Sequence, residues 1–298
     1  MLSRILVSGV SGPIGTALLP LLHSRGYDVV RLVRGPVAGK DQVMWHPGEP
    51  VSAEAVSGFD AVIHLAGETI LGYWGRAKKT RIRNSRVDGT QNLALALAEA
   101  KSKPRVFICS SAIGYYGNRG DEVLNEASEP GKDFLALVCR DWEAATKPAI
   151  DAGIRTAQIR TGVVLSVEGG ALAKMLTPFR LGLGGRVGDG RQWMSWIDVQ
   201  DMVGGILHIL KTDLLQGPVN MVAPRPVTNA EFTETLAGVL RRPAIFPLPA
   251  FVVKAVFGEM GEATLLSSQR VEPARLVGTG YPFAFSDLRL SLEHLLRG

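Results

Sequence analysis

The chain has 298 residues, of which 46% are hydrophobic, 20% charged and 7% aromatic. That balance excludes a disordered chain, and no apolar run of about 20 residues is present to span a membrane, so no membrane partner is expected. The net charge of +5 admits an anionic ligand, but the basic residues are dispersed apart from GRAKKTRIRNSR at 75–86, and without a zinc knuckle or aromatic-rich RNA motif no nucleic-acid partner is expected.

In chain order, RILVSG (4–9) predicts a buried strand, and residues 13–25 a helix with Leu18, Leu21 and Leu22 on one face. Strands are predicted at 28–33 (DVVRLV), 60–67 (DAVIHLAG), 104–111 (PRVFICSS) and 155–165 (RTAQIRTGVVL). A long basic helix ending near Glu99 and a helix over 133–152 separate the later ones. Continuous Val/Ile/Leu runs alternating with helices predict an α/β fold, a Rossmann-type doubly wound parallel sheet. Residues 1–165 are expected to form this domain, with a returning strand near 217–223. Residues 166–298 form a smaller, mostly helical C-terminal lobe with a blurred boundary. There, 179–196 reads as irregular, a helix runs from about Asp198 to Leu210, Thr228 and Glu231 have capping-box spacing, and Pro249 stands in the first turn of another helix. Because the strand pattern begins at once, no leader peptide is expected, and a reducing cytoplasm suits the two cysteines, Cys109 and Cys139. Neither belongs to a CxxC, and histidines are too sparse to complete a metal set.

GVSGPIG joins the first strand to the first helix. Gly9, Gly12 and Gly15 lack the Cβ that would keep a backbone away from a pyrophosphate, and the helix N-terminus offers free N–H groups to such an anion. The spacing is GxxGxxG, not GxGxxG, and a tight turn alone also favours glycine. At the end of the second strand, where a carboxylate would hold the ribose 2′-hydroxyl of NAD, stands Arg34. A guanidinium forks onto a 2′-phosphate, which favours NADP(H). The alternative is an exposed arginine at a strand end.

The motifs HLAGETI, RIRNSRVDGTQNL, SSAIGYYG, PFRLGLGGRVGDGRQWMSWIDVQDMVGGI, NMVAPRPVTNAEF and PLPAFVVKAVFGEMG occur in order over nearly the whole chain. With the glycine loop, they resemble the extended short-chain dehydrogenase/reductases, and more closely an atypical branch of "epimerase family" proteins with a characteristic C-terminal domain. The resemblance implies an NADP(H) site formed by Gly9, Ser11, Gly12, Pro13, Ile14, Gly15, Arg34, Leu65, Ala66, Gly67, Arg86, Val163 and Val164. It also implies a small-molecule substrate, a nucleotide-sugar or carbonyl compound, held by the C-terminal lobe.

The family's Tyr-x-x-x-Lys pair is missing. In register with Glu143, the tyrosine position is Leu135 and the lysine position Cys139; the serine position falls at Ala112, one residue from Ser111. Leucine has no proton to give, and a thiol has no fixed positive charge. Three readings stay open: chemistry by other groups, a NADPH-binding sensor, or a site that only stabilises the fold. For the first, the candidate catalytic residues are Ser111, Tyr115 and Tyr116, with Cys139, Glu68 and Asp133 behind them. Arg186, Arg191, Trp193 and Trp196 are candidates to meet an anion and a flat ring, or else to pack within the lobe.

Overall fold

The computed structural model describes residues 2–297. The first half builds β1 (Arg4–Ser8), α1 (Pro13–Ser24), β2 (Asp28–Val33), β3 (Gln42–Met44), β4 (Ala61–His64), α2 (Arg76–Glu99) and β5 (Val106–Ala112). A 3-10 turn at Ile113–Tyr116 follows, then β6 (Val123–Leu124), α3 (Phe134–Ala144), α4 (Lys147–Asp151), β7 (Arg155–Thr161) and β8 (Val163–Leu165). The second half contains α5 (Gly170–Arg180), β9 (Trp193–Met194), β10 (Trp196–Asp198), α6 (Val199–Lys211), β11 (Gly217–Met221), β12 (Val227–Thr228) and α7 (Asn229–Leu240). The chain closes with α8 (Ala250–Thr264), β13 (Arg270–Val271), α9 (Ala274–Gly278) and α10 (Leu288–Arg297).

Seven strands form one parallel sheet in the order β11-β7-β5-β4-β1-β2-β3. Successive strand residues point to opposite faces, and both faces are apolar. Ile5, Val7, Ile63 and Ile159 join residues of α1 and α6 in one core. Leu6, Val62 and Phe107 join α2 and Trp142 of α3 in the other. The strand order reverses between β1 and β4, and the crevice at their carboxyl ends is where doubly wound sheets take ligands. A third core, with Leu172, Leu176, Phe232 and Leu292, unites α5, α7 and α10 as the helical lobe. No helix among the described residues is long and apolar enough to cross a membrane.

Three boundaries differ from the sequence expectation. The strand expected over 155–165 is divided at Gly162: a Cβ there would lie 2.5 Å from the Ser195 carbonyl oxygen and 2.7 Å from Val222. Only glycine lets the chain turn that closely, and β8 leaves the main sheet to pair with β10. The helix expected over 133–152 breaks between Ala144 and Lys147, where the Thr146 hydroxyl donates to the Glu143 carbonyl at 2.7 Å. Pro249 is the N-cap of α8, not a first-turn residue, and α8 kinks at Gly258, whose φ of 57° is left-handed.

Candidate functional site

The carboxyl ends of β1, β2 and β4 border a cleft of about 470 Å³. Ser8, Gly9, Ser11 and Gly12 form its floor, Arg34 one end, and Leu65, Ala66, Gly67 and Glu68 the opposite wall. The three glycines of the loop have different reasons to be glycine. Gly9 takes φ 73°, and a Cβ on it would lie 2.5 Å from the Leu65 carbonyl carbon. At Gly15 a Cβ would come within 2.5 Å of the Gly9 carbonyl oxygen. These two are glycine because the protein's own backbone crowds them. Gly12 is different: a Cβ there would meet only the Gly9 carbonyl oxygen, at 3.5 Å, an ordinary contact. The protein itself leaves that space free at the amino end of α1, where Gly12 is the N-cap with no side-chain cap and Pro13 opens the helix. Uncapped N–H groups and a missing side chain together form an anion cradle.

The 65–68 wall is clamped by α2. The Glu68 N–H donates to the Ser85 hydroxyl at 3.0 Å, and the Arg86 guanidinium donates to the Glu68 carbonyl at 2.9 Å and to the Ile82 carbonyl at 3.2 Å. Arg86 therefore stands behind the wall and fixes its backbone; it does not line the cleft. Lys78 donates to the Glu68 carboxylate at 2.8 Å, and that hydrogen bond holds the carboxyl below its usual range. Of the sequence candidates, Gly9, Ser11, Gly12, Arg34, Leu65, Ala66 and Gly67 come together on the cleft. Ile14 and Val164 pack against the core. Pro13 touches the 169–170 turn, and Val163 flanks the helical lobe. Trp45, Pro47 and Ser85 line the cleft and had no sequence signal, since β3 and α2 bring them in from elsewhere in the chain.

The catalytic candidates lie deeper and are occupied. Ser111 is buried and donates to Glu143 Oε1 at 2.7 Å. Glu143 also takes both prongs of Arg160, at 2.8 and 2.9 Å. Tyr116 has no exposed surface; its hydroxyl donates to Asn220 at 2.7 Å and accepts from Arg160 at 3.0 Å. Burial pushes the Tyr116 phenol up to about 12, the wrong direction for a proton relay near neutrality. The half-buried Tyr115 ring lies under the Arg160 guanidinium at 3.5 Å, in cation–π contact. Asp133 caps α3 by accepting from the Ala136 N–H at 2.9 Å. Cys139 is buried, and desolvation pushes its thiol up to about 12, so it carries no thiolate at neutral pH. Leu135 belongs to an apolar cluster with Phe134, Trp74, Phe257 and Met260. Trp196 is fully buried and donates to the Arg225 carbonyl at 3.0 Å, so it packs in the lobe. Trp193 donates to Asp121 at 2.8 Å and, with Arg270 over its ring at 4.5 Å, lines a separate polar cavity of about 570 Å³. Arg186 borders a third one, described below. No group of three or more His, Cys, Asp or Glu suited to a metal occurs among the described residues.

The NAD dependent epimerase/dehydratase family matches residues 5–221, and a domain of unknown function, DUF1731, matches residues 248–295. The epimerase family protein ML0860 of Mycobacterium leprae is 41% identical over 97% of this chain and 94% of its own length. The human epimerase family protein SDR39U1 is 38% identical over 98% of this chain and 99% of its own. A crystal structure of that human protein with NADPH superposes with a TM-score of 0.90 at 37% identity, covering 99% of both chains. A nucleoside-diphosphate sugar epimerase from Corynebacterium glutamicum gives 0.83 at 38% identity, over 99% of this chain and 58% of that one. At 15% identity, the Bacillus cereus UDP-N-acetylglucosamine 4-epimerase (TM-score 0.77) shares the fold. With its glycine loop on a doubly wound sheet and its matched C-terminal domain, this chain belongs to the NAD-dependent epimerase/dehydratase family, in the branch of epimerase family proteins.

Proposed function

We propose that this chain binds NADP(H) in the β1–β2–β4 cleft as an atypical short-chain dehydrogenase/reductase-like protein that works without a Tyr-x-x-x-Lys pair. The observation that carries this reading is the contrast within the glycine loop. Gly9 and Gly15 are required by the fold, whereas Gly12 keeps open a helix-terminal cradle that the fold itself does not use. Exposed Arg34 borders the same cleft and has no ion-pair partner among the described residues, so its fork is available to a 2′-phosphate. The NADPH bound to the human relative supports the same choice. When bound, the dinucleotide supplies hydride chemistry. The protein's own part is to seat the pyrophosphate on the loop and to hold the opposite wall rigid through Ser85 and Arg86.

The test is titration with both cofactors. Arg34→Ala weakens NADPH by about 10- to 100-fold, the loss of one charge-assisted fork, and leaves NADH nearly unchanged. Equal losses for both cofactors, or none, reject Arg34 as the phosphate reader.

A second reading, a non-catalytic NADPH sensor, is favoured by the engagement of Ser111 and Tyr116 and by the inert side chains at 135 and 139. Single-turnover mixing of the NADPH complex with carbonyl compounds, which would accept the hydride, and of the NADP+ complex with nucleotide sugars, whose hydroxyl-bearing carbons would donate one, separates the two. Oxidation of NADPH by a carbonyl compound, or reduction of NADP+ by a nucleotide sugar, establishes an enzyme. Two buried free thiols suit a reducing compartment, which supports a cytoplasmic location as part of this proposal.

A further inference from the structure

The helical lobe carries a surface that neither cleft nor core uses. The segment 183–188 runs beside 244–248: the Phe246 N–H donates to the Gly184 carbonyl at 3.1 Å, and the Leu248 N–H to the Arg186 carbonyl at 2.8 Å. Large apolar side chains stand out from this pair of segments, from Leu181 at the end of α5 and from the first turn of α8. Ile245 is 72% exposed, Phe251 73%, Leu181 69% and Phe246 55%. Core-sized side chains this far into solvent, adjacent to one another, mark a contact surface and not a folding residue. Pro243, Pro247 and Pro249 stiffen the loop that carries them, so little conformational freedom is lost when it docks.

The charges on this surface are mostly positive, with one carboxylate, Glu234 of α7, in the adjoining groove. From 178 to 188 and from 240 to 257 there is no Asp or Glu, while Arg180, Arg186, Arg241, Arg242 and Lys254 fall in those two stretches. The four arginines have no ion-pair partner among the described residues; Lys254 pairs with Glu262 at 2.8 Å. Arg241 even occupies the left-handed position that closes α7, with φ 53°, where glycine or asparagine is the ordinary occupant. Beside the exposed apolar residues lies a shallow groove of about 490 Å³ lined by Ala237, Ala244, Ile245, Pro247, Arg186 and Glu234.

We propose that this face docks on an anionic phospholipid surface, with the apolar side chains of the 245–251 loop entering the headgroup boundary and the arginines meeting the phosphates. The contact is peripheral, since no helix among the described residues is long and apolar enough to cross a membrane. Charge decides the occupant. A second copy, related by a two-fold axis, would bring a face of four unpaired arginines and one carboxylate, Glu234, against the same excess of cations, which disfavours self-association. An anionic interface satisfies both components at once, the apolar area and the unpaired cations.

The intact chain is sedimented with vesicles of phosphatidylcholine alone and of phosphatidylcholine with phosphatidylserine, at low and high salt. Binding is expected to the anionic vesicles only, and to fall with salt. Arg241→Gln with Arg242→Gln weakens it about thirtyfold, from about 1 kcal/mol for each basic side chain at an anionic surface. Ile245→Ser with Phe246→Ser weakens it at least about tenfold, while NADPH affinity, read in the same samples, is unchanged because neither residue borders the cleft. No binding to anionic vesicles at low salt overturns the proposal, as does binding that ignores both pairs of substitutions. A dimer dissolved by the serine pair gives the face to self-association instead. Binding of polyglutamate without vesicle binding gives it to an acidic protein.

Discussion

At the scale of single residues, the site is built from groups whose freedom has been removed. His64 is an example. It ends β4 just before the 65–68 wall, is fully buried, and shares a 2.6 Å hydrogen bond between Nδ1 and the Ser8 hydroxyl. Its Nε2 has no partner, and Trp45 meets the ring edge-on at 5.5 Å. A protonated imidazole has nothing here to replace its hydration, so desolvation lowers its pKa to about 4. The folded value lies below the unfolded one of about 6.5. Above pH 6.5 both states are neutral and stability is complete. As pH falls from 6.5 toward 4, the unfolded chain takes up a proton that the folded chain refuses, and stability drops by about 3 kcal/mol. Urea unfolding of the wild type and of His64→Gln should therefore converge at neutral pH, apart from a constant offset, and diverge by about this amount near pH 4. Parallel curves over that window would show that His64 is protonated in the fold.

At the scale of elements, the sequence was most legible where one segment makes its own structure. β1, β4 and β5 each hold a continuous apolar stretch and β2 one interrupted only by Arg31, and the strand–turn–helix around Gly9 to Gly15 is entirely local, so fold class and glycine loop could both be read. β3 has three residues, with Met44 exposed, and shows no period at all. The split in the 133–152 helix falls just ahead of Pro148, which lacks the N–H a continuous helix needs and opens α4 instead, with Thr146 turning back on Glu143; that proline was the signal in the sequence. The cleft's Trp45, Pro47 and Ser85 arrive by packing of distant elements and leave no motif. Conversely, Ser111 and Tyr116 looked free in the sequence, but Glu143 and Asn220 on other elements claim them. The α3 face is the clearest case. Leu135 and Cys139, one turn apart, both rest on Gly114, where a Cβ would lie 3.4 Å from Leu135 and 3.8 Å from Cys139 Sγ. Arg86 lies close enough to Cys139 to act on its charge, and Glu143 is already taken by Arg160. Cys139→Lys would bury a cation with no free carboxylate and a neighbouring guanidinium, and should cost at least about 3 kcal/mol. Leu135→Tyr, at a half-buried position, should change stability by less than about 1.5 kcal/mol. Equal urea midpoints for the two variants would mean that the lysine position still has a ready counter-charge, and that the relay was lost by side chain alone.

For the whole molecule, the question is what ties the helical lobe and the C-terminal segment to the sheet, since the cleft depends on the sheet's carboxyl edge keeping its shape. Two polar anchors do this on the β11 side. Arg275 of α9 donates to the carbonyls of Gln216, Pro218 (2.8 Å) and Leu214 (3.1 Å), which brackets the start of the edge strand. Asp201 of α6 is buried and receives the Tyr281 hydroxyl at 3.1 Å and the backbone N–H groups of Ala284 and Phe285 at 2.9 and 2.8 Å. α6 itself packs on α1, the helix that carries the anion cradle, so Asp201 links the chain's last segment to the helix layer supporting the cofactor loop. No apolar periodicity reveals such a link: the carboxylate lies in the first turn of α6, and its donors come 80 and more residues later. Asp201→Ala leaves the Ala284 and Phe285 N–H groups without their acceptor, while the Tyr281 hydroxyl keeps the Asp201 backbone carbonyl at 3.1 Å; with partial relief by water, the loss should be about 2 kcal/mol. The unpinned segment should also become the first site of cleavage under limited proteolysis, between 279 and 287, before the sheet domain is attacked. NADPH stabilises only the native state, so saturating cofactor should raise the unfolding midpoint of the variant about as much as that of the wild type, while the proteolytic opening at 279–287 stays. Cofactor protection of that cleavage site would instead mean that the segment and the cleft open together, as one cooperative unit.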